Sequence, residues 1–138
     1  MDVRPERNGW RDETISRRHR RWGWDCPAVD LDFLLLEYDR GRASALVEYK
    51  HKNAPPQSSG HPSYRAMADL CNRSQIPCFA VRYGDDWSEL RVTPLNALAR
   101  KHMPEATTIT EHEWVSLLYR IRGLEVPKDL FSEPEIVL

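Results

Sequence analysis

The sequence has few cysteines, no long apolar run and almost no excess of charge of either sign. Its three cysteines, Cys26, Cys71 and Cys78, form no CxxC pair, which argues against a disulfide framework and against a four-ligand zinc site. The longest apolar run, FLLL at 33–36, is far shorter than the roughly 18 residues of a membrane-spanning helix. No apolar stretch typical of a secretory signal opens the chain. These absences predict a cytoplasmic protein with no membrane partner.

The length and composition are those of a folded domain. The chain has 138 residues, of which 41% are hydrophobic and 30% charged, and this combination predicts one globular domain, 1–138, rather than a disordered chain. The core is expected within about 10–123. Two prolines and three glutamates in the last 14 residues predict a loosely ordered tail at 124–138.

Charge is distributed unevenly along the chain. The net charge of −1 does not by itself indicate a nucleic-acid-binding protein, but residues 1–22 contain seven arginines against four acids. Arginine outnumbers lysine 16 to 4 in the whole chain. Because arginine pairs with phosphate through two hydrogen bonds, the bias is typical of a phosphate-binding surface. A GC-rich genome produces the same bias, so both interpretations stay open.

Hydrophobic periodicity and turn signals predict an α/β fold with a mixed sheet flanked by helices. Asp39-Arg40-Gly41-Arg42 reads as the turn of a hairpin, Ser63 as the N-cap of a helix, and Thr110 with Glu113 as a capping box. A short helix or turn follows Pro94. The predicted order is α-β-β-α-β-β-α, over helices 10–22, 63–74 and 111–122 and strands 29–38 (mostly buried), 43–50, 77–83 and 87–93.

Acidic and basic residues meet on the predicted hairpin. Asp30 and Asp32 lie on its first strand, and the second strand ends in Glu48-Tyr49-Lys50. Because side chains alternate along a strand, Glu48 and Lys50 share one face of the sheet. A slip of one residue in the pairing decides whether an aspartate faces them, and the sequence leaves this register open.

Two carboxylates and an ammonium group on one face suit metal-assisted cleavage of a phosphodiester bond. Carboxylates hold a hard divalent cation, and the cation polarises the phosphate and lowers the pKa of a bound water. The lysine orients that water or stabilises the developing charge. A chance pattern is the alternative, since an acid and an ExK triplet occur on strands of many proteins. The position of Glu48 and Lys50 directly after the apolar run Ala45-Leu46-Val47 favours the functional interpretation.

With these residues the chain resembles the PD-(D/E)xK, or restriction-endonuclease-like, nuclease superfamily. The family core is αβββαβ, with an aspartate on the second strand and (D/E)xK on the third. Here Pro27 with Asp30 or Asp32 matches the first half, and 48–50 (EYK) matches the second. Asp32 is preferred because it directly precedes the apolar run and suits a short hairpin. A departure is the short strand before the aspartate, for which 24–26 is the only place.

The resemblance, which covers residues 10 to about 93, implies a set of site residues. Mg²⁺, with Mn²⁺ as a substitute, would be held by Asp32, Glu48 and the main-chain carbonyl of Tyr49, with Asp30 as the second choice of aspartate. Many family members also use a glutamate of the first helix, and Glu13 is the candidate here. Lys50, Asp32, Glu48 and Glu13 would then be the catalytic residues.

Basic residues on the first helix and after the motif are candidates for DNA contacts. Arg17, Arg20 and Arg21 are spaced to share one helical face, whereas Arg18 points to the side. A solvated helix end is the alternative for this group. The full set of candidate nucleic-acid-binding residues is Arg17, Arg18, His19, Arg20, Arg21, His51 and Lys52.

The sequence therefore predicts a Mg²⁺-dependent nuclease that acts on DNA, with RNA as the less favoured substrate. The alternatives are a catalytically inactive nucleic-acid-binding or assembly protein of the same fold, and an interaction module with an accidental motif. Little of the chain lies beyond the predicted nuclease core, so a homodimer or a protein partner would supply specificity. Phage, repair and defence contexts all fit.

Overall fold

The computed structural model describes residues 13–131. The chain divides into two compact units, Met1–Asp30 and Leu31–Leu138, and each is described by itself. The first three residues of the predicted 10–22 helix and the last part of the predicted tail, 132–138, lie outside the described residues.

The described part of the N-terminal unit contains one helix. This helix, α1, spans Thr14–Arg21, and Glu13 occupies its N-cap position. None of its residues is buried, and its last turn is entirely basic, which suits the negative end of the helix dipole. Gly23 follows the C-cap with a φ of +97°, a left-handed conformation that glycine adopts without strain. The helix therefore ends one residue before the predicted boundary at 22.

The second unit is an α/β structure in which helices flank a mixed five-stranded sheet of order β1-β2-β3-β4-β5. Strands β2 and β3 pair in parallel through the crossover helix α2, and the other neighbours are antiparallel. No helix among residues 13–131 has the length and apolar character needed to cross a membrane. The elements are β1 (Phe33–Glu37), β2 (Arg42–His51), α2 (Pro62–Ser74), β3 (Cys78–Tyr83), β4 (Leu90–Pro94), α3 (Ala97–His102), β5 (Thr107–Ile109) and α4 (Glu111–Ile121).

Alternating side chains of β2 and β3 supply two hydrophobic clusters. Leu46 and Cys78 pack with residues of α2, so their side of the sheet is called the α2 face. Val47 and Phe79 pack with α3 and α4, and their side is called the α4 face. Trp114 of α4 contacts Phe79 edge to face, with ring centroids 5.4 Å apart. Burial on both faces explains the continuous apolar runs at 45–47 of β2 and 78–81 of β3.

Of the two helix N-caps predicted from local sequence signals, one is correct and one is wrong. The capping box of Thr110 and Glu113 is present at α4, with both reciprocal hydrogen bonds at 3.1 Å, as predicted. The predicted N-cap of α2, Ser63, is wrong. His61 is the N-cap, and its Nδ1 accepts a hydrogen bond from the Ser63 backbone N–H at 3.1 Å. Pro62 fits the first helical turn because that position needs no backbone donor.

The strand predictions need three corrections. The predicted 29–38 strand is shortened to β1 and is largely exposed rather than buried, because β1 lies at the edge of the sheet. The predicted 87–93 strand begins only at Leu90, since Trp87 has a φ of +58°, outside the extended region. The three-residue strand β5 was absent from the predicted order and follows the short helix α3.

A buried asparagine links the start of β3 to the start of α3. Asn96 is 2% exposed. Its Oδ1 accepts hydrogen bonds from the backbone N–H groups of Cys78 at 3.1 Å and Ala99 at 2.9 Å, and its Nδ2 donates to the Ile76 carbonyl at 2.9 Å. One side chain therefore caps α3 and fixes the start of β3.

Replacing Asn96 with alanine is expected to lower the free energy of unfolding by about 3 kcal/mol, because it leaves buried donors and an acceptor without partners. Urea denaturation measures the loss. Asn72→Ala, on the exposed side of α2, is the matched control and should change stability by less than about 0.5 kcal/mol. Equal losses in the two variants would contradict the role assigned to Asn96.

Candidate metal centre

The register of the β1–β2 hairpin decides which side chains meet. Phe33 pairs with Val47 and Leu34 with Leu46, and continuing this register sets Asp32 opposite Glu48. The Oδ2 atom of Asp32 accepts a hydrogen bond from the Tyr49 backbone N–H at 3.1 Å. Because opposed residues of antiparallel strands share a face, Asp32 and Glu48 both lie on the α2 face. The register that the sequence left open is thereby fixed.

The carboxylate of Glu48 is largely shielded from solvent. Its side chain is 13% exposed, and its Oε1 lies 3.7 Å from Nζ of Lys50. Its Oε2 is buried and has no hydrogen-bond partner among the described residues. Burial raises the pKa of Glu48, the negative charge of Asp32 raises it further, and the Lys50 ammonium opposes both. A buried, unpaired carboxylate oxygen is costly, and a bound cation would remove that cost.

The oxygen donors present fit a magnesium ion. Within residues 13–131, no group of three or more His, Cys, Asp or Glu side chains is arranged to hold a metal. Mg²⁺ in proteins is commonly bound by one or two carboxylates, and water and substrate phosphate complete its shell. Asp32 and Glu48 supply two carboxylates, and the carbonyl of Tyr49 is the further ligand that the family resemblance implies. This site is called the carboxylate centre below.

A tyrosine of α2 lies in the electrostatic field of the carboxylate centre. Tyr64 is 5% exposed and packs in the cluster with Leu46. Burial raises the pKa of Tyr64, the charge of Glu48 raises it further, and the charge of Arg82 lowers it. The first turn of α2 therefore lies close to the carboxylate of Glu48.

The two basic residues that follow the motif lie in different surroundings. His51 lies on the α4 face, where its Nε2 is 2.7 Å from Oδ1 of Asp85 and its Nδ1 accepts from the Asn53 backbone N–H at 3.1 Å. Both ring nitrogens are thus engaged, and the predicted phosphate contact of His51 stays a prediction. Lys52 lines a surface cavity of about 410 Å³.

The remaining predicted site residues belong to the N-terminal unit. Glu13 accepts a hydrogen bond from Arg17 at 3.2 Å, and both side chains are about 70% exposed. The ring of His19 is half-buried and lies 4.5 Å from that of Trp22. The catalytic role of Glu13 and the metal-binding role of Asp30 stay predictions. DNA binding also stays a prediction for the basic residues Arg17, Arg18, His19, Arg20 and Arg21.

The residues predicted from the sequence do not include two arginines that lie near the centre. Arg82 of β3 is paired with Lys50 of β2, and Arg91 of β4 is paired with Arg82. Their strands are recognisable from composition, but their proximity to the motif depends on pairing between strands that are distant in sequence. A signal was nevertheless present, since a charged residue interrupts each of two otherwise apolar strands.

Comparison of the chain with protein-family models, with curated proteins and with solved structures found no match.

Cation binding at the carboxylate centre predicts a thermal shift. Mg²⁺ or Mn²⁺ at about 100 times its dissociation constant should stabilise the protein by about 2.7 kcal/mol, which corresponds to a rise in Tm of roughly 5–10 °C. Glu48→Gln should abolish this rise because it removes a charged ligand. Differential scanning fluorimetry with and without EDTA measures both.

The matched control for this experiment is Glu37→Gln, which changes an acid at the other end of β1 and should leave the rise in Tm unchanged. The same rise in the Glu48→Gln protein would show that any cation binds elsewhere.

Proposed function

We propose that this protein is a Mg²⁺-dependent nuclease that hydrolyses phosphodiester bonds of DNA, as the resemblance to the PD-(D/E)xK superfamily implies. The observation that carries the proposal is the buried Oε2 of Glu48, which has no partner within the described part of the chain and lies beside a second acid and a lysine. Structural acids on a sheet are normally solvated or paired. An unpaired one next to another carboxylate favours a cation-binding role.

Asp32 and Glu48 bind the divalent cation in this proposal, with the Tyr49 carbonyl as a further ligand. When bound, the cation polarises the phosphate and lowers the pKa of a water. The hydrogen bond from the Tyr49 N–H holds the Asp32 carboxylate, so this ligand is oriented before the cation arrives. Such orientation by neighbouring groups strengthens metal sites.

Lys50 acts on the attacking water or on the charge that develops at the phosphate. Its side chain is one-third exposed and its Nζ is 3.7 Å from Glu48, longer than a good hydrogen bond. The ammonium group therefore keeps donors available for substrate while the sheet holds it beside the acids. Stabilisation of this kind is commonly worth a factor of 10² to 10³ in rate.

The N-terminal unit has two proposed roles. Glu13 assists as an additional acid, and Arg17, Arg20 and Arg21 bind phosphates that flank the reacting one. Because phosphate contacts carry little sequence information, a homodimer or a protein partner would supply specificity. DNA is the proposed substrate and RNA the alternative.

Cleavage of DNA tests the proposal directly. The protein with Mg²⁺ or Mn²⁺ should cut DNA, and EDTA should stop it. Lys50→Ala should lower the cleavage rate at least about 100-fold while the cation-induced rise in Tm remains, because the lysine acts on the reaction rather than on cation binding. Lys101→Ala, an exposed lysine of α3, should cleave as the unmodified protein does.

Two results would overturn the proposal. Unchanged cleavage by the Lys50→Ala protein would show that the motif is not the active site. Tight DNA binding with no cleavage in either cation would instead support the catalytically inactive DNA-binding alternative.

The basic face of α1 predicts salt-sensitive DNA binding. Each phosphate contact on duplex DNA adds about −0.9 to the slope of log affinity against log salt concentration. Arg17→Ala combined with Arg21→Ala should flatten that slope by roughly one to two units and weaken binding equally for unrelated sequences. Fluorescence anisotropy at several salt concentrations measures the slope.

The double variant Arg120→Ala with Arg122→Ala, at the end of α4, removes the same charge from a different helix and should keep the original slope. If both double variants gave that original slope, α1 would be a solvated helix end.

A further inference from the structure

A row of basic side chains crosses the α2 face of the sheet beside the carboxylate centre. Strand pairing aligns Lys50 with Arg82, Arg82 with Arg91, and Arg91 with Thr108. Paired residues of neighbouring strands point to the same side, so the row shares the face of Glu48. Because neighbouring strands lie about 4.8 Å apart, Lys50 and Arg91 are separated by roughly 10 Å across the sheet. The three basic residues Lys50, Arg82 and Arg91 are called the arginine row below.

Helix α2 leaves the arginine row uncovered. The helix packs against Cys78 and Ala80 of β3, whereas Arg82 comes two residues later on the same face and is partly exposed. Arg91 is exposed. The residues of the row beyond Lys50 line the surface cavity of about 410 Å³, together with Lys52, Tyr83, Gly84, Asp86, Ser88 and Glu89.

Hydrogen bonds hold the two guanidinium groups without using all their donors. Arg82 donates to the carbonyls of Lys52 at 3.1 Å and Ala54 at 2.6 Å, and Arg91 donates to Oγ1 of Thr108 at 3.4 Å. A guanidinium has five N–H donors, so each retains donors for a ligand. Oriented guanidinium groups match the geometry of phosphate.

The acids at the cavity offset part of this positive charge and leave one cationic residue in excess. Three cationic residues line the cavity, against Asp86 and Glu89. The carboxylate of Asp86 already accepts hydrogen bonds from the backbone N–H and hydroxyl of Ser88, at 3.1 and 3.0 Å. The cavity therefore favours an anionic ligand, and it lies next to the carboxylate centre through the alignment of Lys50 with Arg82.

We propose that the arginine row binds the phosphates of the DNA strand that flank the phosphate held at the carboxylate centre. The strand then leaves the centre across β3 and β4, nearly perpendicular to them, and Arg82 and Arg91 contact successive phosphates. This path deepens the nuclease proposal and rests on it for the position of the reacting phosphate. It also predicts binding without sequence preference, since the row meets the backbone rather than base edges.

Arg91 is the residue with which to test the row, because it is exposed and holds no backbone group, whereas Arg82 anchors the loop after β2. Affinity for a duplex oligonucleotide is measured by fluorescence anisotropy over a range of salt concentrations, with Ca²⁺ in place of Mg²⁺. Arg91→Gln should weaken binding roughly tenfold and flatten the salt slope by about one unit. Arg91→Lys keeps the charge and should retain the slope.

The matched control is Arg100→Gln. Arg100 is exposed on α3, which packs on the opposite face of the sheet, so affinity and slope should not change. Equal behaviour of the Arg91→Gln and Arg100→Gln proteins would overturn the proposed path.

Cleavage in Mg²⁺, measured in parallel, separates this inference from the nuclease proposal. If the unmodified protein cuts DNA and Arg91→Gln binds normally, the path is wrong and the nuclease proposal stands. If Arg91→Gln weakens binding and no variant cuts, the arginine row stands as a DNA-binding surface and the nuclease proposal fails.

Discussion

The burial of one carboxylate, that of Glu48, is the constraint around which the second unit is arranged. Glu48 follows Leu46 and Val47, which are at most 1% exposed, on a strand paired on both sides. An acid at this position loses most of its hydration, and its pKa rises. Asp32 adds negative charge, Lys50 offsets part of it, and one carboxylate oxygen stays unpaired within the described residues. In the proposed function, a divalent cation completes this set of charges.

The fold places different contributions to the site on different elements. The hairpin brings Asp32 to Glu48 through its register, and the bond from the Tyr49 N–H holds the aspartate. The parallel crossover through α2 places Tyr64 near Glu48 and aligns Arg82 with Lys50. One face of the sheet thus carries acids at one side and arginines at the other. In the proposed mechanism the acids hold the cation and the arginines hold the neighbouring backbone.

Local sequence signals predicted most helices and strands. Which side chains meet at the site depends on pairing between strands, which the sequence does not fix. The alternation of β2 placed Glu48 and Lys50 on one face, and the capping box located the start of α4. The choice of Asp32 as the partner needed the hairpin register, and the position of Arg91 needed two further strand pairings. The exposure of β1 could not be read from its apolar composition, because an edge strand and a central strand can have the same sequence pattern. Strand β5 has three residues, which is too short for an alternation of apolar and polar side chains to be recognised.

The central claim is that Asp32 and Glu48 bind one divalent cation, and anomalous X-ray scattering from crystals grown with Mn²⁺ tests it most directly. A manganese peak is expected within roughly 2.0–2.6 Å of a carboxylate oxygen of each residue. A peak bound elsewhere, with Glu48 Oε2 still unpaired or hydrogen-bonded to protein groups at saturating Mn²⁺, would contradict it.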